Sequence, residues 1–153
     1  MEDVLKQAKL KALSLLTDMD RTEEQLRQKL KQKLYSDDVI EQTIEYVKSF
    51  GYIDDEKYAK RFVENRKNRK SKQEIWVQLS QKGVKREFIA DALDACYTSD
   101  DAVEAIRHLA EKKHYSPENS DDKEKKRIYD YLLRKGFYHE DIRQVIQVSF
   151  WNA

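Results

Sequence analysis

The feature that most constrains the fold of this 153-residue chain is a pattern of apolar residues that recurs three times. In each copy, two apolar residues four positions apart mark one helix, and a second pair with the same spacing marks the next. The second copy follows the first by 49 residues, and the third follows the second by 53. The positions are Leu26, Leu30, Ile40 and Ile44, then Ile75, Leu79, Ile89 and Leu93, then Ile128, Leu132, Ile142 and Ile146. A repeat of this length is typical of stacked units that cannot bury their apolar faces alone.

The composition of the chain favours helices over strands. Charged residues make up 39% of the sequence and apolar residues another 39%, and only three glycines and one proline interrupt them. Such a composition with a helical period is typical of an all-α protein. We therefore predict nine helices in three trios, with three-helix repeats at residues 1–52, 53–98 and 99–153. Linked in series, the repeats are expected to form an elongated, curved array that is right-handed or solenoid-like.

Residues that begin and end helices fall at matching places in the copies. Thr22 and Ser71 each precede the middle helix of a copy and are predicted to cap its N-terminus. Gly83 and Gly136 follow the middle helices of the second and third copies and are predicted to end them. The first copy has Leu34 at that place. We therefore expect the turn between its helices to take another shape.

The sequence contains no recognisable catalytic constellation. The three histidines, His108, His114 and His139, are not at metal-binding spacing. Cys96 shares an apolar stripe with Leu93, so it is interpreted as a small buried hydrophobe and not as a nucleophile. Glycine-rich phosphate loops are absent from the sequence. We expect a protein that is not an enzyme and that uses no metal and no cofactor.

Basic residues concentrate in one segment, although the net charge of the chain is only +1. Residues 57–72 include eight basic residues and one acidic residue, Glu64. Arg66 lies on the apolar side of the predicted helix, so we expect its stem to pack there and its head to meet Asp54 or Asp55. The other seven are the candidate residues for contact with a partner or with DNA: Lys57, Lys60, Arg61, Lys67, Arg69, Lys70 and Lys72. Their charge suits phosphates or an acidic protein surface, and a solvated helix face is the third interpretation.

The nine tyrosines and two tryptophans exceed what the predicted core needs. Six tyrosines fall near helix ends or off the apolar stripes: Tyr52, Tyr97, Tyr115, Tyr129, Tyr131 and Tyr138. Aromatic side chains exposed beside basic residues suit contacts with a protein or with single-stranded nucleic acid. Each of them individually is also explained as a residue at the edge of the core.

The sequence also predicts where the protein is located. No apolar stretch approaches the roughly 18 residues that a membrane span needs, and Met1-Glu2-Asp3 begins no signal peptide. A lone cysteine cannot form an internal disulfide, so a reducing compartment is expected. We predict a cytoplasmic monomer that does not bind a membrane.

Four stretches of the chain resemble, in their order, signature stretches of the RecX family. They are Arg21-Thr22-Glu23-Glu24-Gln25-Leu26, Gly51-Tyr52-Ile53-Asp54-Asp55 through Tyr58-Ala59, Leu79-Ser80-Gln81-Lys82-Gly83-Val84 and Leu132-Leu133-Arg134-Lys135-Gly136-Phe137. The order and spacing match over nearly the whole chain, from about Ala12 to Ile146. One difference is that many relatives have a glycine where the second copy has Lys70-Ser71.

The resemblance implies an all-helical bacterial protein of the cytoplasm that modulates the RecA recombinase. Members of the family bind RecA filaments on single-stranded DNA, lie along the filament groove, and inhibit strand exchange, ATP hydrolysis and co-protease activity. These activities belong to DNA recombination, DNA repair and the SOS response. Some members also bind DNA directly, and no catalytic residues carry over. The resemblance therefore predicts the RecA filament as the partner, with DNA as a second one.

Two other functions remain compatible with the residues. A helical DNA-binding module without a specific protein partner would bind DNA in the absence of RecA, with a steep salt dependence. The near-neutral net charge and the acidic helix starts count against it. The repeat alone, without the resemblance, favours a general scaffold for some other protein.

Overall fold

Residues 2–147 are described by a computed structural model, and within them the chain forms nine helices and no strand. The helices are α1 (Glu2–Asp18), α2 (Glu23–Gln32), α3 (Asp37–Ser49), α4 (Asp55–Arg66), α5 (Lys72–Gln81), α6 (Arg86–Cys96), α7 (Ser99–Lys112), α8 (Asp122–Arg134) and α9 (His139–Arg143). The predicted all-α class and the nine helices are confirmed for this part of the chain. Met1 and residues 148–153, which fall in the predicted repeats 1–52 and 99–153, lie outside it.

The chain divides into two compact units. The first unit contains the residues up to Ala59 together with Leu79–Ala90. The second contains Lys60–Gln78 together with the residues from Asp91 onward. Each of α4, α5 and α6 therefore contributes residues to both units. The repeat boundaries at 52/53 and 98/99 stay a prediction.

The twelve apolar positions of the repeat are the interior of the fold. All of them are buried, and the most exposed, Leu93, leaves 6% of its surface to solvent. The four positions of the first copy form one apolar cluster with neighbouring small and branched residues. That cluster consists of Ala12, Leu26, Leu30, Ile40, Ile44, Val47 and Ile53. Because each buried Leu or Ile side chain contributes roughly 1.5–3 kcal/mol, the recurring pattern marks the residues that hold each unit together.

The predicted N-caps of two middle helices form reciprocal capping boxes. Thr22 Oγ1 accepts the backbone N–H of Gln25, whose Oε1 in turn accepts the N–H of Thr22, both at 3.1 Å. Ser71 and Glu74 repeat these two hydrogen bonds at the start of α5, also at 3.1 Å. Such a cap contributes about 1 kcal/mol. Each box fixes the residue at which the middle helix begins.

Each of these capping hydroxyls also donates a hydrogen bond to a distant helix end. Thr22 Oγ1 donates to the carbonyl oxygen of Lys82 at 2.6 Å, within the first unit. Ser71 Oγ donates to the carbonyl oxygen of Lys135, within the second unit. Both acceptors directly follow the middle helix of the next copy. We name this hydrogen bond the cap–turn contact, and both hydroxyl residues are buried in it.

The turn glycines beside the two acceptors lack room for a side chain. Gly83 and Gly136 have φ angles of +84° and +99°, in the left-handed region that favours glycine. A Cβ atom at Gly83 would lie 2.8 Å from Cγ of Glu24, and one at Gly136 would lie 2.6 Å from Cβ of Gln73. Both positions therefore need glycine for the backbone angle and for the close approach of a helix N-terminus.

The turn at Leu34 has the same shape as the glycine turns, so the prediction of another shape is wrong. Leu34 has a φ of +66°, and its N–H donates to the carbonyl of Lys31 at 2.9 Å, as Gly83 donates to Ser80 at 3.0 Å. The left-handed conformation costs a non-glycine residue about 1–2 kcal/mol. The side chain of Leu34 is 92% exposed, so no close neighbour excludes it. The first copy thus lacks the glycine because no helix N-terminus packs closely against this turn, and not because the turn has a different shape.

Alanine substitutions at two glycines will separate backbone strain from steric overlap. Gly51 also has a positive φ, +74°, but a Cβ there would meet no atom within 4 Å. Gly51→Ala should lower the free energy of unfolding by about 1 kcal/mol, from strain alone. Gly83→Ala should lower it by about 3 kcal/mol or more, because the overlap with Glu24 adds to the strain. Urea denaturation followed by circular dichroism measures both, and equal losses would contradict the close approach.

Leu34→Gly is expected to stabilise the protein. It removes a left-handed strain of about 1–2 kcal/mol, and the exposed side chain takes little buried surface with it. The greater freedom of glycine in the unfolded chain offsets about 0.5–1 kcal/mol of that gain. The free energy of unfolding should therefore rise by about 0.5–1 kcal/mol in the same denaturation experiment. A clear loss would mean that the side chain of Leu34 makes a stabilising contact.

Candidate functional site

The second unit places two lysines beside one carboxylate at the start of α5, where a third lysine begins the helix. Glu74, in the first turn of α5, accepts the N–H of Ser71 through Oε1 in the capping box. Its other oxygen, Oε2, lies 3.9 Å from Nζ of Lys70 and 3.4 Å from Nζ of Lys135. Lys72 is the first residue of the helix. We call Lys70, Lys72, Lys135 and Glu74 the basic cluster.

The cap–turn contact explains how Lys135 joins the basic cluster. Because Ser71 Oγ donates to the carbonyl of Lys135, 64 residues later, that lysine is held next to the N-terminus of α5. Three lysines and one carboxylate leave a net charge of +2 in the cluster. The helix N-terminus adds a partial positive charge. This arrangement attracts anionic groups such as phosphates and carboxylates.

Tyr97 fixes the chain segment that leads into α5. Its hydroxyl donates to the carbonyl of Lys70 at 2.7 Å, and the side chain is buried. Burial, with a further contribution from Asp101, raises the pKa of Tyr97 well above its ordinary value. The hydroxyl therefore keeps the proton that it donates. Nζ of Lys72 lies 5.7 Å from the centroid of the Tyr97 ring, within range of a cation–π contact.

Two of the predicted contact residues are engaged elsewhere in the second unit. Nζ of Lys67 lies 3.0 Å from Glu64 and 3.8 Å from Asp101. The hydrogen bond to Glu64 raises the pKa of Lys67, and the charge of Asp101 adds to the effect. Nη2 of Arg69 donates to the carbonyl of Asn65 at 3.0 Å. Lys67 therefore has less of its charge available to a partner than its position in the basic segment suggests.

The remaining predicted contact residues lie on α4. Lys60 and Arg61 are exposed and belong to the second unit. Lys57 is exposed in the first unit, where its backbone N–H donates to Oδ1 of Asp54 at 3.1 Å. Of the seven predicted residues, the structure thus brings Lys70 and Lys72 into the basic cluster and leaves the others outside it.

Sequence reasoning misses Lys135 because it lies far along the chain from residues 57–72. A signal for it does exist, since a Lys-Gly pair follows the middle helix in two copies, as Lys82-Gly83 and as Lys135-Gly136. The carbonyl of Lys82 accepts a hydrogen bond from the hydroxyl of Thr22, 60 residues earlier, and the carbonyl of Lys135 accepts one from the hydroxyl of Ser71, 64 residues earlier. A search for helix caps that recur with the repeat would have paired Ser71 with Lys135.

Arg66 has a structural role. Its Cζ lies 3.7 Å from the centroid of the Phe62 ring, which is a close cation–π contact. The carboxylates expected near its head, Asp54 and Asp55, accept backbone N–H groups in the first unit. Arg66 therefore lies outside the candidate site, and the pairing of its head with Asp54 or Asp55 stays a prediction.

The first unit contains a cleft of about 500 Å³ lined by charged side chains. Glu23, on its wall, lies 2.8 Å from Nζ of Lys48 and 3.1 Å from Nη2 of Arg27. Burial by itself would raise the pKa of Glu23, but the hydrogen bonds to Lys48 and Arg27 outweigh it and lower that pKa. A general acid needs the opposite shift. The network at this wall is therefore structural.

The half-buried Cys96 is also unsuited to catalysis. Burial raises the pKa of its thiol, and a hydrogen bond to Glu64 raises it further. A nucleophilic cysteine needs the opposite shift, because the thiolate is the reactive form.

Within residues 2–147, no group of three or more His, Cys, Asp and Glu residues is placed to hold a metal ion. Over the same residues, no helix combines the length and the apolar character that crossing a membrane requires.

Removing the charge of Glu74 should strengthen the binding of polyanions. In Glu74→Gln the capping box is expected to persist, because Gln25 makes the same box at the start of α2. The lysines on either side lose their shared carboxylate, so affinity for heparin should rise roughly threefold. Isothermal titration at fixed salt measures this. Glu104→Gln, which removes an exposed carboxylate paired with Arg107, is the matched control, and an equal effect there would show that only total charge matters.

Three consecutive domain models of one family match the chain. The first three-helix domain of RecX matches residues 8–46, the second matches 54–93 and the third matches 99–146. The regulatory protein RecX of Caldanaerobacter subterraneus subsp. tengcongensis is 34% identical, over 94% of this chain and 71% of its own length. The regulatory protein RecX of Clostridium acetobutylicum is 30% identical, over 97% of this chain and 72% of its own length.

Solved structures agree with these sequence matches. The crystal structure of RecX from Lactobacillus salivarius superposes with a TM-score of 0.80 at 27% identity, and the match covers 96% of this chain and 97% of that one. A second crystal structure, of a regulatory protein RecX, gives a TM-score of 0.82 at 26% identity over 95% of this chain and 74% of that one. The fold of this chain is therefore shared with solved RecX structures.

Proposed function

Because the chain belongs to the RecX family of regulatory proteins, we propose that it binds filaments of the RecA recombinase on single-stranded DNA and inhibits their activity. The inhibited activities are strand exchange, ATP hydrolysis and the co-protease function of the SOS response. The protein acts in the cytoplasm as a monomer, without catalysing a reaction. Its role therefore lies in the control of recombination and DNA repair.

The basic cluster is the observation that carries this proposal at the level of residues. Lys70, Lys72 and Lys135 outnumber Glu74 at the positive end of α5, and a nucleoprotein filament presents phosphates to such a surface. The mechanism is steric and electrostatic. The lysines hold the protein on the filament, and the helices next to them obstruct access to the DNA. Arg69, Lys60 and Arg61 add positive charge in the same unit.

The alternative is a helical DNA-binding module without a specific protein partner. The basic cluster favours it as well, because phosphates of free DNA suit the same lysines. The two functions differ in what they need. A filament regulator needs RecA for tight binding, whereas a DNA-binding module binds bare DNA and weakens steeply between two salt concentrations.

A paired charge reversal tests the proposed function. Lys72→Glu combined with Lys135→Glu should raise the protein concentration needed for half-inhibition of RecA ATP hydrolysis at least about tenfold, since both positions of the basic cluster are then repelled by phosphates. The matched control is Lys123→Glu with Lys126→Glu, which reverses two exposed lysines of α8 in the same unit. The control should inhibit like the unmodified protein.

Three outcomes would contradict the proposal. The unmodified protein failing to change ATP hydrolysis by RecA on single-stranded DNA would reject it outright. Equal loss in both double variants would reject the basic cluster as the contact site. Tight binding to bare DNA that is unaffected by RecA, measured in a gel-shift titration at two salt concentrations, would favour the DNA-binding module instead.

A further inference from the structure

The first unit exposes a set of stacked aromatic rings that the basic cluster does not involve. Phe50 and Tyr52 are 59% and 53% exposed, and their rings stack with centroids 5.7 Å apart and planes 22° from parallel. Tyr46 meets Phe50 edge-on at 5.1 Å and itself packs against the apolar cluster of this unit. We call Tyr46, Phe50 and Tyr52 the aromatic ladder. It runs from the core to the surface of the first unit.

The backbone holds the ladder in place. The helix α3 ends at Ser49, and the N–H of Tyr52 donates back to the carbonyl of Val47 at 3.0 Å. Between the two exposed rings, Gly51 takes a φ of +74° and reverses the chain so that they lie side by side. Rings fixed in this way lose little conformational entropy when a partner covers them. Exposed apolar patches on a folded surface are typical of interaction sites.

The charges beside the ladder indicate the class of partner. The cleft of the first unit includes Ile53, the residue that follows Tyr52. Five carboxylates and three cations line this cleft: Glu23, Glu24, Asp54, Asp55 and Glu56, with Arg27, Lys48 and Lys85. Burial raises the pKa of Asp55 and the charge of Glu23 adds to it, although a backbone hydrogen bond opposes them, so an incoming cation would stabilise its ionised form. The net charge of −2 disfavours a phosphate backbone in the cleft. A cation that contacts the ladder, Lys9, has its Nζ 4.4 Å from the centroid of the Tyr46 ring, at the inner end of the ladder.

We propose that the aromatic ladder and the adjoining acidic cleft dock a protein segment that carries an apolar side chain next to an Arg or Lys. The apolar side chain covers Phe50 and Tyr52, and the basic one enters the cleft, which at about 500 Å³ has room for it. This inference rests on the proposed function, because the segment belongs to a RecA protomer of the filament. The first unit thus contacts protein through apolar and acidic groups, and the second contacts anionic groups through lysines.

Binding to preformed filaments tests the ladder. Phe50→Ala combined with Tyr52→Ala should weaken binding of the labelled protein to RecA filaments on single-stranded DNA at least about tenfold in fluorescence anisotropy, as expected for central aromatic anchors. Leu34→Ala, which removes a 92% exposed apolar side chain elsewhere in the first unit, is the control and should bind normally. Tyr52→Phe keeps the ring and should also bind normally. Glu56→Gln should weaken binding about twofold to fivefold, because it removes one charge of the cleft.

A crosslink identifies the class of occupant independently of affinity. Benzoylphenylalanine placed at position 52 should crosslink to RecA upon irradiation of the filament complex, at a peptide that contains Arg or Lys beside an apolar residue. Crosslinking to the DNA strand would overturn the inference. The exposed positions make unfolding of the variants unexpected, and circular dichroism checks it. If the double alanine variant unfolds, the crosslinking result alone decides whether protein or DNA contacts the aromatic ladder.

The outcomes separate the inference from the function on which it rests. If the unmodified protein binds filaments and the alanine pair binds equally well, the aromatic ladder is not the docking surface, and the proposed function stands. If the unmodified protein does not bind filaments, the proposed function fails and the inference falls with it.

Discussion

The rest of the structure depends on a buried hydroxyl group that makes two hydrogen bonds at once. Thr22 accepts an N–H from its own helix and donates to the carbonyl of Lys82, and Ser71 does the same with Lys135. A buried polar group without a partner costs about 1–3 kcal/mol. Each contact therefore requires both a helix start and a helix end at the right place. Local capping chemistry and long-range packing are satisfied by the same atom.

The sequence predicts what depends on local periodicity and fails where distant contacts decide. Apolar spacing identified the buried positions, and Thr22 and Ser71 were recognisable as caps because capping needs residues only three positions away. The shape of the turn at Leu34 is mispredicted, because glycine is needed at the other two turns for the close approach of a distant helix N-terminus, and an exposed leucine adopts the same left-handed conformation without it. Local sequence does not predict Lys135 either, because its place also depends on a distant contact. Its proximity to Lys70 comes from a hydrogen bond across 64 residues.

The candidate site shows how a fold assigns different roles to similar residues. Lys67 and Lys70 belong to one basic run, yet the first lies against Glu64 and Asp101 while the second shares a single carboxylate with Lys135. A lysine that is already paired offers less to a partner, because binding must first break that pair. Counting charges along a segment therefore overestimates the surface that is available. The tyrosines divide in the same way, since Tyr97 is buried while Tyr52 is exposed.

The contrast between Leu34 and the two turn glycines has a consequence for the evolution of the repeat. A side chain at the turn excludes the helix N-terminus that packs against Gly83 and Gly136, so the first copy cannot replace the second or third, although its core positions match theirs. Duplication or shuffling of copies within the gene would then succeed only when the turn residue changes as well. This one turn position thus separates the first copy from the other two, although it lies outside the hydrophobic core that makes all three look alike.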